Sequence, residues 1–223
     1  MLRNPNTASP KKTRFHAELD DLSHAKVSSS EYKYSRGTEI FGEAEPAEYI
    51  YQVIEGGVRT YKLLSDGRRQ IGAFHLPGDI FGFDNRGVHR FTAEAIVDST
   101  VRLVKRESLD RVAKREPAMI LNLLSLSTRN LQHAENHLLL LGRKTAEERV
   151  AAFLVEMNGR LSGPGVMALP MTRRDISDYL GLTIETVSRA LAALKWKGYL
   201  TVTGAFGRDI IVLNVAGLAK LDS

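Results

Sequence analysis

Between residues 120 and 141 small or apolar side chains recur at Ile120, Leu124, Ser127, Leu131, Ala134, Leu138 and Leu141. The steps alternate between four and three residues, a heptad seam sustained over three repeats. Pro117 suits the first turn of such a helix, and Gly142 ends it. A seam this regular, widened by Leu123 and Leu140, predicts pairing with its own copy in a second subunit. The expected parallel homodimer would bury Ile120, Leu124, Leu131, Ala134, Leu138 and Leu141. The competing possibility is a helix that packs on its own domain.

The stretches flanking this helix have other periods. Residues 1–30 are rich in Asn, Ser, Thr, Pro and Lys without a sustained pattern, which predicts a flexible tail. From about residue 31 to 106 the chain reads as short strands: 49–54, 58–64, 70–76, 92–97 and 101–105. Asp66-Gly67 and Pro77-Gly78-Asp79 supply turns between them. Such a series predicts a small barrel or jelly roll over 31–116. With the helix at 117–142 and a helical third part at 143–223, the fold class is α+β.

That third part opens with capping-box spacing from Thr145 to Glu148 and an amphipathic run through Ala151, Phe153, Leu154 and Met157. Gly159 to Pro170 reads as loop and hairpin. A second capping box, Thr172 to Asp175, precedes a short helix that Gly181 breaks. Thr183 then caps a helix over 184–197, and two strands, 199–203 and 209–213, form a final hairpin. Helix, glycine turn, helix and hairpin make a winged helix-turn-helix, whose second helix enters the DNA major groove.

The residues of that second helix agree with the assignment. Ile176, Leu182, Val187, Leu191 and Leu194 can share a core, while Glu185, Ser188 and Arg189 stand at i, i+3 and i+4 on the other face. Fourteen residues span about 21 Å, comparable with a groove crossing. Arginine can read the Hoogsteen edge of guanine with two hydrogen bonds, glutamate can accept from the cytosine amine, and serine suits either. A carboxylate beside phosphates is repulsive unless it reads a base, so Glu185 points to sequence-specific readout. A solvated Glu185–Arg189 ion pair is the plainer alternative.

Composition narrows the function classes. The net charge is +5, and residues 142–223 hold eleven basic against eight acidic side chains, which leans toward a polyanionic partner. With no cysteine there is no thiolate metal site, cysteine nucleophile or thiol switch. No apolar run is long enough to cross a membrane and no secretory signal is apparent, so a cytoplasmic protein is expected. No Ser-His-Asp order or phosphate-binding loop supports an enzyme. His133 and His137 read as solvated or interface-rim side chains rather than metal ligands, and His75 and His89 as structural rather than haem-binding.

The stretch 31–215 resembles the cyclic-AMP receptor and fumarate–nitrate regulator superfamily. Gly181-Leu182-Thr183-Ile184-Glu185-Thr186-Val187-Ser188-Arg189 is similar to its recognition-helix motif in the fumarate–nitrate form. Ser65-Asp66-Gly67-Arg68-Arg69-Gln70, Phe74-His75-Leu76-Pro77-Gly78 and Asp178-Tyr179-Leu180-Gly181-Leu182-Thr183 resemble the FixK branch. The resemblance implies an N-terminal β-roll like a cyclic-nucleotide-binding jelly roll, a long dimerisation helix and a C-terminal winged helix-turn-helix. It implies a homodimeric transcription regulator, mainly an activator, at palindromes with TTGA(T/C) half-sites in microaerobic respiration or nitrogen-fixation promoters. Glu185, Ser188 and Arg189 would read bases; Arg173, Thr183, Thr186 and Arg208 would contact phosphate. Residues 161–169 correspond to a surface that relatives turn toward RNA polymerase. Nucleotide-binding members carry Gly-Glu and Arg-Ser pairs, whereas here Phe83 follows Gly82 and Phe91 follows Arg90. The expectation is therefore no cofactor; the rival is a β-roll that binds some other effector and gates DNA binding.

Overall fold

The computed structural model describes residues 29–84, 87–114, 117–161, 166–203 and 209–222. Asp66 and Gly67, the latter at φ 83°, turn the chain between β4 (Val58–Leu63) and β5 (Arg69–His75). These strands belong to a four-stranded sheet completed by β2 (Glu39–Phe41) and β7 (Thr92–Ala95), in the order β2-β7-β4-β5. The second sheet orders β1 (Ser29–Tyr34), β8 (Ser99–Lys105), β3 (Tyr49–Glu55) and β6 (Ile80–Phe81). Every neighbouring pair is antiparallel. Phe41, Tyr51, Val53, Val58, Phe81, Ala93 and Val101 fill the space between the sheets. The product is a β-roll.

Strand β1 starts at Ser29, inside the stretch expected as tail, because Ser29 and Ser30 already pair with Val104 and Leu103. Residues 1–28 lie outside the described residues. An unanticipated helix, α1 (Arg106–Ala113), leads from the roll into α2 (Pro117–Arg143), the long helix. Helix α3 (Ala146–Leu161) opens on a reciprocal cap: the Thr145 amide donates to Glu148 Oε2 at 2.7 Å, and the Glu148 amide to Thr145 Oγ1 at 3.4 Å. It runs through Gly159, where the sequence suggested a loop. Among the described residues of that stretch, β9 (Met167–Ala168) pairs with β11 (Asp209–Val212), which also pairs β10 (Leu200–Thr203). Helices α4 (Arg173–Leu180) and α5 (Ile184–Trp196) lie between β9 and β10, and α6 (Val215–Asp222) closes the chain.

Along α2 two faces have opposite fates. Ile120, Leu124, Leu131 and Leu138 are exposed, Leu138 at 71%, as are Leu121 and Leu139. Apolar exposure of this extent along one helix marks a surface for a partner. Leu141, at the end of the expected seam, is half-buried and packs on the core of the C-terminal domain. The reason is local, since Leu140 is buried in that same core and Arg149 Nη2 hydrogen-bonds the Leu141 carbonyl at 2.9 Å. The exposed positions of the seam itself therefore end at Leu138.

Candidate nucleic-acid interface

Helix α4 begins at Thr172, whose hydroxyl accepts from the Asp175 amide while the Asp175 side chain accepts from the Thr172 amide. Gly181 ends it in the left-handed region at φ 62°, where a side chain would be strained. The turn delivers Thr183 as the cap of α5, its Oγ1 accepting from the Thr186 amide at 3.2 Å. Val187, Ala190, Leu191 and Leu194 bury one face of α5, and Leu182 packs against the same core. Glu185, Ser188 and Arg189 are exposed on the other. Burial of four side chains thus fixes which face reaches solvent.

The exposed residues carry defined chemistry. The Glu185 carboxyl is held below its usual range by its own backbone amide, by the Thr183 side chain and by the charge of Arg189. It is therefore an acceptor at neutral pH. Ser188 Oγ donates to the Ile184 carbonyl at 2.9 Å, which leaves oxygen lone pairs to present outward. Arg189 Nη2 reaches Thr186 Oγ1 at 3.5 Å, and Thr186 Oγ1 lies 3.0 Å from Thr183 Oγ1. Thr183 and Thr186 thus sit at a helix N-terminus, where the macrodipole and free amides favour anions. Arg173, at the first turn of α4, is partly buried, and burial lowers its pKa. Arg208 lies outside the described residues, as do residues 162–165 of the 161–169 stretch.

Residues 148–221 match the Crp-like helix-turn-helix domain, and residues 31–116 the cyclic nucleotide-binding domain. The nitrogen fixation regulation protein FixK of Azorhizobium caulinodans is 44% identical over 195 residues, 85% of this chain and 78% of that protein. The chain belongs to the FixK group of the CRP/FNR family. FixK of Rhizobium meliloti is 43% identical over 178 residues, 80% of this chain and 81% of that one. A solved structure, FixK2 from Bradyrhizobium japonicum, matches with a TM-score of 0.85 at 57% identity, covering 88% of this chain and 98% of that chain. This protein is thus a FixK-type transcription regulator with a DNA-binding helix-turn-helix.

In this FixK-type regulator the residues of the roll do not fit a cyclic nucleotide. Rings occupy its interior: Phe41 stacks on His89 at 3.6 Å between centroids, Tyr51 on Phe81 at 5.3 Å, and His75 on Phe81 at 4.6 Å. A Cβ on Gly82 would lie 2.7 Å from the Tyr51 ring, so the turn is already pressed against that packing. Where the resemblance would put a ribose acceptor and a phosphate-side hydroxyl, the sequence has Phe83 and Phe91, which supply neither. Burial pushes the His75 imidazole down to about 3, so it stays neutral, with Nε2 3.1 Å from Thr60 Oγ1. His89 Nδ1 lies 2.9 Å from Asp84. Among the described residues no group of three or more His, Asp or Glu side chains could hold a metal, and no helix is long and apolar enough to cross a membrane.

His133 and His137 are half-buried and face the C-terminal domain rather than the exposed stripe. His137 stacks on Tyr179 at 4.1 Å with Nε2 2.9 Å from the Tyr179 carbonyl, and His133 Nε2 lies 3.2 Å from Glu156 Oε1. Both fasten α2 to the DNA-binding domain. Heptad spacing could not show this, because it describes one helix and not what covers its other face.

Proposed function

We propose that the protein is a homodimeric, sequence-specific activator that binds TTGAT-type palindromes without a cofactor. It would act in the cytoplasm on respiratory or nitrogen-fixation promoters, in contact with RNA polymerase. The observation that carries the reading is the division of α5: an apolar face locked in the core and Glu185, Ser188 and Arg189 presented together outside. Arg189 reads guanine; Glu185 and Ser188, both acceptors here, take hydrogen bonds from base amines. Arg173, Thr183, Thr186 and Arg208 hold phosphate, which positions the head without reading sequence. The exposed Ile120, Leu124, Leu131, Ala134 and Leu138 supply the twofold pairing, with Leu141 at its edge. The names of the FixK relatives support the physiological setting.

Arg189→Ala tests this directly. Specific binding should weaken by about 1–3 kcal/mol while binding to a scrambled duplex is largely retained. Fluorescence anisotropy on both duplexes measures the difference. Equal losses on the two would make Arg189 a phosphate contact.

A second reading, an effector that gates the head, has one feature in its favour. A narrow apolar cleft between the roll and the helices is lined by Ile50, Ile80, Phe83, Leu109, Leu123 and Leu126. Its lining is apolar and offers nothing to a nucleotide phosphate.

A further inference from the structure

Three motifs that carry the FixK resemblance lie outside the recognition helix, and the fold brings them to one place. Arg69-Gln70 and Phe74-His75-Leu76 belong to β5 and the turn after it; Asp178-Tyr179 belongs to α4, the first helix of the helix-turn-helix. Arg69 Nη2 reaches Asp178 Oδ2 and Asp175 Oδ1, both at 2.8 Å, and Arg69 Nε reaches Asp178 Oδ2 at 2.9 Å. Gln70 Nε2 donates to the Tyr179 carbonyl at 3.3 Å. Phe74 packs on Tyr179 at 5.2 Å and on Phe153 at 6.2 Å. From β4, Arg59 adds a 2.6 Å bond to Asp175 Oδ1, while its other terminal nitrogen is held by Glu94 at 2.6 Å. The Asp175 carboxylate is thus divided: Oδ2 caps its own helix, and Oδ1 is gripped by two guanidiniums from the β-roll.

The long helix is already fastened to the C-terminal domain by His133, His137 and Leu140, and Arg160 of α3 reaches the Phe74 carbonyl at 3.0 Å and the Asp79 carboxylate in the roll. Arg59 and Arg69 add the contacts that hold α4 itself to β4 and β5. Apolar packing across the seam, through Ile71, Phe74, Leu76 and Ile96, favours contact but no particular register, because hydrophobic burial is non-directional. Forked, buried ion pairs are directional. The Asp175 side chain is 3% exposed and that of Arg59 13%, so misalignment would strand charges away from water.

We propose that Arg59 and Arg69 are positioning residues for DNA binding: by clamping Asp175 and Asp178 they set the recognition helix in its DNA-competent orientation, a task otherwise left to an effector. The proposal rests on the palindrome-binding reading above. A head that keeps the competent pose for only about a tenth of the time loses about tenfold in apparent affinity, and two heads lose about 100-fold together.

The test combines Arg59→Gln with Arg69→Gln, with circular dichroism as the check on folding, and uses two readouts. The first is affinity for palindromes whose half-site spacer is native or lengthened by one or two base pairs. The double variant should bind the native spacing about 100-fold more weakly and discriminate less against the longer spacers. The second needs no DNA. The chain has no cysteine, so spin labels at L63C and W196C, in protein diluted with unlabelled chain, report the distance between roll and head. The parent should give one narrow distribution and the double variant a broad one. A folded double variant with unchanged affinity, spacer preference and distance width overturns the clamp. Should the double variant not fold, Asp178→Asn decides, since it leaves the helix cap and both Asp175 pairs in place. It should broaden the distances and soften spacer preference, and unchanged values would overturn the proposal. A parent that ignores the palindrome but keeps a narrow distance, broadened in the variant, refutes the palindrome reading and not the clamp.

Discussion

Leu138→Glu should convert the protein to a folded monomer that no longer holds the palindrome. Leu138 is the most exposed large apolar side chain among the described residues of the long helix, at 71%, and it would stand near the twofold axis of the proposed dimer. Two carboxylates there would be desolvated without partners, which costs several kcal/mol or forces their protonation. Within its own chain the residue is not part of the core, so the fold has little to lose. Light scattering should report the lower mass, circular dichroism an unchanged helix content, and anisotropy the loss of linked half-site binding. A variant that stays dimeric and binds normally would show that the stripe is not the interface.

Asp175→Ala should be the most destabilising polar substitution in the molecule. It strips the reciprocal cap from α4, a loss of about 1 kcal/mol by itself. It also leaves Arg59 and Arg69 half-deprived of anions beneath the same seam, and breaking a buried pair from one side costs about 3–5 kcal/mol. Urea unfolding followed by circular dichroism should show the midpoint fall by a large fraction of the total. Asp178→Asn should lower it far less, because Asp178 is more exposed and has no capping role. Equal, small shifts for both would mean that water already screens the Asp175 pairs.

The elements legible in the sequence are those whose signals are local. Asp66-Gly67, the caps at Thr145, Thr172 and Thr183, and the break at Gly181 each act within a few residues, and each stands in the structure where the spacing put it. Strand β1 escaped as a separate strand because its residues, SSEYKY, are almost wholly exposed at a sheet edge and show no alternation, and its first two, Ser29 and Ser30, read as tail. Helix α6 and the extension of α3 past Gly159 depend on packing across the C-terminal domain, which over-rides a single glycine. The turning of Leu141, His133 and His137 toward that domain is tertiary information. So is the clamp: Arg59 and Asp175 lie 116 residues apart, a separation that no periodicity reports. The reading face was legible because the burial of Val187, Leu191 and Leu194 follows directly from helical spacing.

The most direct measurement titrates purified, ligand-free protein against two duplexes. One carries TTGAT and ATCAA arms separated by four base pairs, and the other is its scrambled counterpart. Specific sites are typically bound 10³–10⁷-fold more tightly than non-specific DNA at physiological salt, so a preference of about a thousandfold or more is expected. It should appear with no small molecule added and saturate at one dimer per duplex. Equal affinity for the two duplexes, or a preference that appears only when an effector is supplied, would contradict the account.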